Sequence, residues 1–303
     1  MRLKQGLLSG LLAVGLAGTA GATVVDLMTL NSSGTLNGGI FVQGGSQPAG
    51  TGVFGTFLKY QPGGNQADVQ GYNTDGRALQ YDEQSAATHT HSLALSDVPL
   101  YNCDSSFIPG CVGGEQYRGF ELDINAKASD PLLSLDRVVI YDRTAGNLLG
   151  GNATEGTPLG GTTLFTGAGD TLVYDSGANN RVDLNYLLES SGSGKSDMFL
   201  YVPDTLFTGG SFVYLYSEFG IFEKKKTAAK NEVPCTAGPT PCGGPQDDTS
   251  GFEEWGVGAP TGIIRGGGGG PSGGPTVPEP ASIVLFGSSL VVVAAWARKR
   301  LVQ

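Results

Sequence analysis

The chain has 303 residues, of which 50 are glycine and 16 are proline, and only 15% of its residues are charged. This composition excludes a protein of long helices, because glycine and proline are the weakest helix formers, and it favours short strands joined by turns. The net charge of −10 repels phosphate backbones, so we expect no nucleic-acid partner.

Residues 1–22 have the pattern of a secretory signal peptide. Two basic residues near the start precede an apolar stretch at 7–17, and the small residues Ala20 and Ala22 form a cleavage site. We therefore expect cleavage before Thr23 and export of the rest of the chain. A buried N-terminal helix is the alternative, which the chemistry of the cleavage site disfavours.

Residues 23–262 are predicted to form an extracytoplasmic domain of β-strands, because several segments alternate apolar and polar residues. Strands are expected in the segments 52–60, 117–125, 133–142, 197–202 and 211–219, and the segment 181–188 fits either a strand or a short helix. Turn residues recur between these segments. We therefore predict an all-β fold, specifically an antiparallel β-sandwich of jelly-roll type.

Two segments of this domain could supply oxygen ligands to an ion. Glu121, Asp123 and Asn125 are expected on the solvated face of segment 117–125, and the stretch Asn73-Thr74-Asp75-Gly76 has the composition of a turn. Calcium prefers carboxylate and amide oxygens, although neither segment contains a complete calcium-binding loop. We expect no cofactor, although the oxygens of these two segments allow a calcium ion to bind.

His89 and His91 are the only histidines. If the segment 88–92 is a strand, both side chains point to the same face, as two metal ligands do. Asp82 or Asp97 could then complete a metal site. The alternative is an exposed, threonine-rich strand without a metal.

The four cysteines form two local pairs, Cys103 with Cys111 and Cys235 with Cys242. Outside the cytoplasm, an even number of cysteines at short spacing favours disulfide bonds. Zinc is the alternative, but the spacing within each pair is longer than the usual spacing of zinc-binding cysteines.

No catalytic pattern emerges, so we expect that the chain is not an enzyme. The Gly-x-Ser-x-Gly turn of serine hydrolases is absent. A glycosidase needs two carboxylates across one site, and Glu253 and Glu254, next to Trp255, are the most suggestive pair. Adjacent residues of a strand point to opposite faces, which weakens this reading.

The C-terminal part of the chain has the pattern of a membrane-targeting signal. Residues 263–276 form a linker rich in glycine and proline. Residues 277–303 then contain Val277-Pro278-Glu279-Pro280, the uncharged segment 281–297, and the basic cluster Arg298-Lys299-Arg300. As a helix, the uncharged segment spans roughly 26 Å, at the short end for a transmembrane helix. The basic cluster predicts that this end stays in the cytoplasm.

Residues 277–303 resemble the PEP-CTERM sorting signal, which is also named the ice-binding protein C-terminal domain. Proteins with this signal are processed by a membrane protease, an exosortase, in Gram-negative bacteria that make exopolysaccharide. The resemblance implies that the chain is an exosortase substrate, anchored transiently in the inner membrane before it reaches the cell surface or the extracellular matrix. Four stretches of the body are also similar to one group of such proteins, to which no activity attaches: 71–75, 132–136, 193–198 and 251–255.

These patterns together predict an exported, exosortase-sorted protein of the cell envelope or exopolysaccharide matrix with a non-catalytic body. The expected partners are the exosortase, the membrane and exopolysaccharide. The first alternative is a carbohydrate-binding module that uses Tyr214, Tyr216 and Trp255 as surface aromatics. The second alternative is a glycan-active hydrolase.

Overall fold

The structure, a computed structural model, describes residues 23–44, 55–61, 68–125, 131–150, 163–165, 171–188, 196–220, 224–226, 232–234 and 253–258. The predicted signal peptide, the linker 263–276 and the sorting segment 277–303 lie outside the described residues, as do Cys235 and Cys242. Among the described residues, no helix is long and apolar enough to span a membrane.

Strands dominate the described part of the chain, whose helical segments are the 3-10 turns Leu95–Asp97 and Asp204–Leu206. The all-β class is therefore confirmed. In chain order the strands are β1 (Val24–Asp26), β2 (Ser33–Leu36), β3 (Gly39–Gln43), β4 (Thr56–Lys59), β5 (Asp68–Tyr72), β6 (Leu93–Ala94), β7 (Leu100–Asn102), β8 (Gln116–Asp123), β9 (Leu132–Arg143), β10 (Thr171–Asp175), β11 (Arg181–Asn185), β12 (Met198–Pro203), β13 (Phe212–Gly220), β14 (Lys224–Lys226), β15 (Glu232–Pro234) and β16 (Glu254–Gly256).

Most of these strands belong to two seven-stranded sheets. Sheet A has the order β1-β11-β9-β13-β5, with β10 beside β9 and β6 beside β13. Sheet B has the order β2-β3-β12-β8-β16-β4, with β7 beside β8, while β14 and β15 pair with each other.

One strand pair departs from the antiparallel arrangement that we predicted. Strands β1 and β11 are parallel, with Val24 opposite Arg181. The two strands are far apart in the sequence, so no short hairpin loop fixes their relative direction, and a parallel pair can form.

One hydrophobic cluster draws side chains from both sheets, which therefore pack against each other. In β8, Phe120 and Leu122 point into this cluster, as the alternation predicts. Ile140 of β9, Leu215 of β13 and Trp255 of β16 meet them there. Each large apolar side chain buried in this way contributes about 1.5–3 kcal/mol.

The outer face of each sheet also carries a buried apolar cluster. Because strand side chains alternate between faces, the neighbours of the core residues in β12 and β13 point away from the core. On sheet A the outer cluster contains Tyr72, Tyr81, Val139, Tyr141, Leu164, Phe165, Tyr214 and Tyr216. On sheet B it contains Ile40, Val42, Ile108, Tyr117, Phe199 and Tyr201.

Candidate functional site

Buried ionisable side chains gather near the ends of β4, β5, β13 and β16. Asp82, Glu83, Glu218 and Glu253 are each at most 9% exposed, and Tyr60 is fully buried. Acidic side chains are rarely buried to this degree without partners, and buried groups with perturbed pKa values often mark functional sites. This region is therefore the candidate site.

The segment 81–84 joins the two sheets here, and we call this junction the seam. Strand β5 ends the order of sheet A, and β4 ends the order of sheet B. The amide of Asp82 donates to the carbonyl of Gln70 in β5 at 3.1 Å, and the amide of Gln84 donates to the carbonyl of Lys59 in β4 at 2.8 Å. The seam therefore connects both edge strands along one side of the molecule.

Two carboxyl groups complete the seam in place of a neighbouring strand. The amide of Gln70 donates to Asp82 Oδ2 at 3.1 Å, and the amide of Tyr72 donates to Glu83 Oε1 at 3.0 Å. These amides lie on one edge of β5 because they are two residues apart. The amide of Tyr81 donates to Glu83 Oε2 at 2.9 Å. The carboxyl groups therefore satisfy backbone donors that an open sheet edge would leave for another chain.

Burial raises the pKa of Glu83 to about 7 from an ordinary value of 4.5. The hydrogen bonds from the amides of Tyr72 and Tyr81 lower this pKa, and the nearby charge of Asp82 raises it. A carboxyl group that titrates near neutral pH suits acid–base chemistry. Both oxygens of Glu83, however, accept hydrogen bonds from the backbone, which gives this side chain a structural role in the seam.

Gly71 makes room for Glu83. A Cβ atom at Gly71 would lie 2.6 Å from Cγ of Glu83 and 3.0 Å from Cε1 of Tyr60. Any other residue would therefore push the carboxyl group out of its place beside β5.

The stretch after Gly71 ties β5 to three other parts of the chain. Asn73 Oδ1 accepts from the amide of Leu215 at 2.6 Å. The hydroxyl of Thr74 donates to the carbonyl of Leu148 at 2.7 Å. Both oxygens of Asp75 accept from Ser92, at 3.0 Å from its amide and 2.7 Å from its hydroxyl. Side-chain oxygens of Asn73 and Asp75, which the sequence offered for calcium, thus accept hydrogen bonds within the protein.

A second chain of hydrogen bonds runs through the core behind the seam. The hydroxyl groups of Tyr60 and Ser217 lie 2.5 Å apart, and the indole N–H of Trp255 donates to Ser217 Oγ at 2.8 Å. All three side chains are fully buried. These hydrogen bonds connect β13 of sheet A to β16 and the end of β4 in sheet B.

The three aromatic residues proposed for sugar binding are not on the surface. Tyr214, Tyr216 and Trp255 are at most 1% exposed. The hydroxyl of Tyr214 donates to the carbonyl of Ala145 at 2.7 Å, and that of Tyr216 donates to Gln70 Oε1 at 2.9 Å. The prediction that these residues stack on a glycan is therefore wrong, because each fills the core or an outer cluster.

The adjacent acids Glu253 and Glu254 are both buried. Glu254 lies opposite Lys59 in the pairing of β16 with β4, and the two side chains form an ion pair. The hydroxyl of Thr56 donates to Glu254 Oε2 at 2.8 Å. Glu254 therefore neutralises a lysine and links two strands.

The polar face of β8 is not solvated, contrary to our prediction. Glu121 is 1% exposed and Asp123 is 2% exposed. Glu121 shares a hydrogen bond with the hydroxyl of Ser196, and Asp123 lies opposite Glu254 in the register of β8 with β16. Alternation in a sequence shows that a strand has two faces, but it does not show whether a second layer covers the polar one.

The segment of His89 and His91 is not a strand. The amides of His89 and Thr90 both donate to the carbonyl of Ala86, which forms a turn. The ring nitrogens of His91 lie 2.8 Å from the carbonyl oxygen of Ser92 and 3.1 Å from that of Thr56. The shared face that we expected from a strand is therefore not formed. Within the described ranges, no group of three or more histidine, cysteine or acidic residues could hold a metal ion.

The pair Cys103 and Cys111 forms a disulfide bond, with Cα atoms 5.6 Å apart, as predicted.

Thr23, the residue that the predicted cleavage would leave at the N-terminus, is hydrogen-bonded at the start of β11. Its amide donates to Asn180 Oδ1 at 2.9 Å, and its carbonyl accepts from the amide of Arg181 at 3.1 Å.

No family model matches this chain, and no match was found among curated proteins or solved structures.

Proposed function

We propose that this chain is an exported PEP-CTERM protein that an exosortase delivers to the cell surface or the exopolysaccharide matrix. Its body serves there as a non-catalytic β-sandwich of jelly-roll type. The observation that carries the proposal is the order of Val277-Pro278-Glu279-Pro280, the uncharged segment 281–297 and the basic cluster 298–300. This order is the one expected of a sorting motif that is followed by a membrane-spanning helix and a basic cluster on the cytoplasmic side.

Three features of the body support this proposal. The Cys103–Cys111 disulfide suits an oxidising compartment outside the cytoplasm. The hydrogen bonds of Thr23 are consistent with a mature chain that starts there. The carboxyl groups of Glu83 and Glu254 accept hydrogen bonds or form an ion pair within the body, as expected of a structural protein.

The jelly-roll part of the proposal is supported by the way the chain moves between the sheets. The consecutive strands β8 and β9 lie in different sheets, and so do β11 and β12, and then β12 and β13. Repeated crossing from one sheet to the other is typical of jelly rolls.

The proposal is tested by the mass of the mature protein in a bacterium that has an exosortase. We expect the wild-type product to begin at Thr23 and to lack Gln303. Replacement of Pro278, Glu279 and Pro280 by alanine should leave the tail attached and the protein in the membrane fraction. The matched control is Ser272→Ala in the linker, which should be processed normally. A mature wild-type protein that retains Gln303 would mean that the helix is a permanent anchor.

A further inference from the structure

The loop closed by the Cys103–Cys111 disulfide lies over the outer face of sheet B. We call residues 103–111 the disulfide loop. Its residue Ile108 is only 1% exposed and packs in the outer cluster that includes Phe199 and Tyr201. The half-buried side chains of Cys103 and Cys111 pack against the same cluster. The disulfide and one isoleucine thus belong to a single apolar contact.

The backbone of the disulfide loop is bonded largely to itself. The amides of Phe107 and Ile108 donate to the carbonyl of Asp104, at 2.9 and 2.7 Å, and the amide of Cys111 donates to the carbonyl of Ile108 at 3.1 Å. These bonds shape the loop but do not fasten it to the sheet. The amide of Cys103 fastens the start of the loop to the carbonyl of Glu115, next to β8, at 2.9 Å. Closure by the disulfide and burial of Ile108 hold the rest of the loop in place.

The cluster under the loop is apolar and lies on the outer face of sheet B. We call Phe199 and Tyr201 of β12, with Ile40 and Val42 of β3, the outer patch. All four side chains are at most 4% exposed. An uncovered patch of this kind would promote association of the protein with other apolar surfaces.

We propose that the Cys103–Cys111 disulfide is a redox-controlled cover: oxidised, it holds Ile108 over the outer patch, and reduced, it releases the patch. In the reduction, a thiolate of an external dithiol attacks one Sγ atom and forms a mixed disulfide. The second thiol of the reagent then displaces the cysteine, so that two cysteine thiols and one oxidised reagent result. An external disulfide oxidant reverses the step by accepting two electrons and two protons.

The cellular meaning of the cover rests on the proposed export. In the reducing cytoplasm the cysteines stay as thiols, so the disulfide that fastens the loop does not form there. After export, a disulfide-bearing oxidoreductase closes the loop. The outer patch would then be sealed only in the compartment where the protein works.

The cover can be tested by hydroxyl-radical footprinting of the full chain, in which Cys235 and Cys242 are replaced by serine so that Cys103 and Cys111 are its remaining cysteines. Reduction with dithiothreitol should raise the labelling of Phe199 and Tyr201 severalfold. Tyr216, in the outer cluster of sheet A, should keep its low labelling. Reoxidation with glutathione disulfide should restore the original pattern.

Two variants separate the cover from the disulfide. Ile108→Ser keeps the disulfide but removes the buried side chain, so Tyr201 should be labelled even in the oxidised protein. Phe107→Ser is the matched control, because Phe107 is 37% exposed and its loss should not uncover Tyr201.

Two results would overturn the inference. Unchanged labelling of Tyr201, with two thiols shown by titration, would mean that packing alone keeps the loop closed. Increased labelling of both Tyr201 and Tyr216 would mean that the disulfide supports the whole body. Neither result depends on how the tail is processed, so the cover and the proposed sorting can fail separately.

Discussion

Glu83 lies between the two sheets with each carboxyl oxygen accepting a backbone amide, one from β5 and one from its own segment. Its neighbours pack tightly around it, and the missing side chain of Gly71 provides the space that it occupies. The side chain therefore combines two properties at one position, a structural contact and a pKa near neutral pH.

The first prediction is that Glu83 makes the stability of the body depend on pH. Because its pKa is raised from 4.5 to about 7, the folded chain binds the proton more tightly than the unfolded chain does. The protonated form therefore stabilises the fold fully below pH 4.5, and this contribution is lost as the pH rises through about 7. The difference corresponds to about 3 kcal/mol in the free energy of unfolding.

Urea denaturation between pH 4.5 and pH 8 measures this effect. The variant Glu83→Gln cannot titrate there and should lack this share of the pH dependence. Parallel pH profiles for the wild type and Glu83→Gln would contradict the prediction.

The second prediction concerns Gly71. Gly71→Ala should lower the free energy of unfolding by about 1–3 kcal/mol, because the new methyl group overlaps Glu83 and Tyr60 in a packed site. Chemical denaturation of the variant measures the loss. Gly113→Ala is the matched control, since a Cβ there would meet nothing within 4 Å. Equal stabilities of the two variants would show that Glu83 moves aside without cost.

The facing and pairing of some of these residues can be predicted from the sequence, and the burial of others cannot, for a physical reason. The apolar face of β8 and the Cys103–Cys111 pair follow from alternation and from short spacing, which are local properties. The burial of Glu121 and Trp255 depends on what other segments place over them. Gly71 gave a hint, because a glycine inside a strand often marks a close approach of another group.

At the scale of elements, the hairpin of β2 and β3 shows a turn that local sequence does explain. Asn37 and Gly38 have φ values of 47° and 89°, the left-handed values that a two-residue hairpin turn requires. The Asn37 side chain also donates to the carbonyl of Asp175 at 2.9 Å. By contrast, β1 and β16 have three residues each, too few for a period to be recognised, and their partners are distant in the sequence.

The third prediction tests the link between β13 and β16. Ser217→Ala removes the oxygen that accepts the indole N–H of Trp255 and pairs with the hydroxyl of Tyr60. A buried donor without an acceptor costs about 1–3 kcal/mol, so we expect a loss of that size in the free energy of unfolding. Thermal and urea denaturation measure the change. Ser105→Ala, at an exposed site, should be neutral, and a neutral Ser217→Ala would show that the indole finds another acceptor.

At the scale of the whole molecule, the last described strand completes the interior of a sheet. Strand β16 pairs with β8 on one side and with β4 on the other, and its Trp255 side chain reaches the shared core. Sheet B thus depends on residues close to the predicted end of the body.

The fourth prediction is that a body ending at residue 252 does not fold, whereas a body ending at residue 262 does. Loss of a buried Trp side chain alone costs about 3–5 kcal/mol, and the truncation also removes the partner of two strands. The fragments 23–252 and 23–262 can be compared by near-ultraviolet circular dichroism and urea denaturation. Cooperative unfolding of 23–252 with the midpoint of 23–262 would contradict this prediction.

The position of β16 also sets the time at which folding can finish. Glu254 and its partner Lys59 are separated by 195 residues, so β4 is synthesised long before the strand beside it exists. Pairings between residues so distant in the sequence form slowly. If the chain crosses the membrane from its N-terminus onward, β4 and β8 lack the strand that lies between them until residue 256 has emerged. Sheet B then closes late, and the chain remains incompletely folded, and so able to thread a narrow channel, for most of its passage.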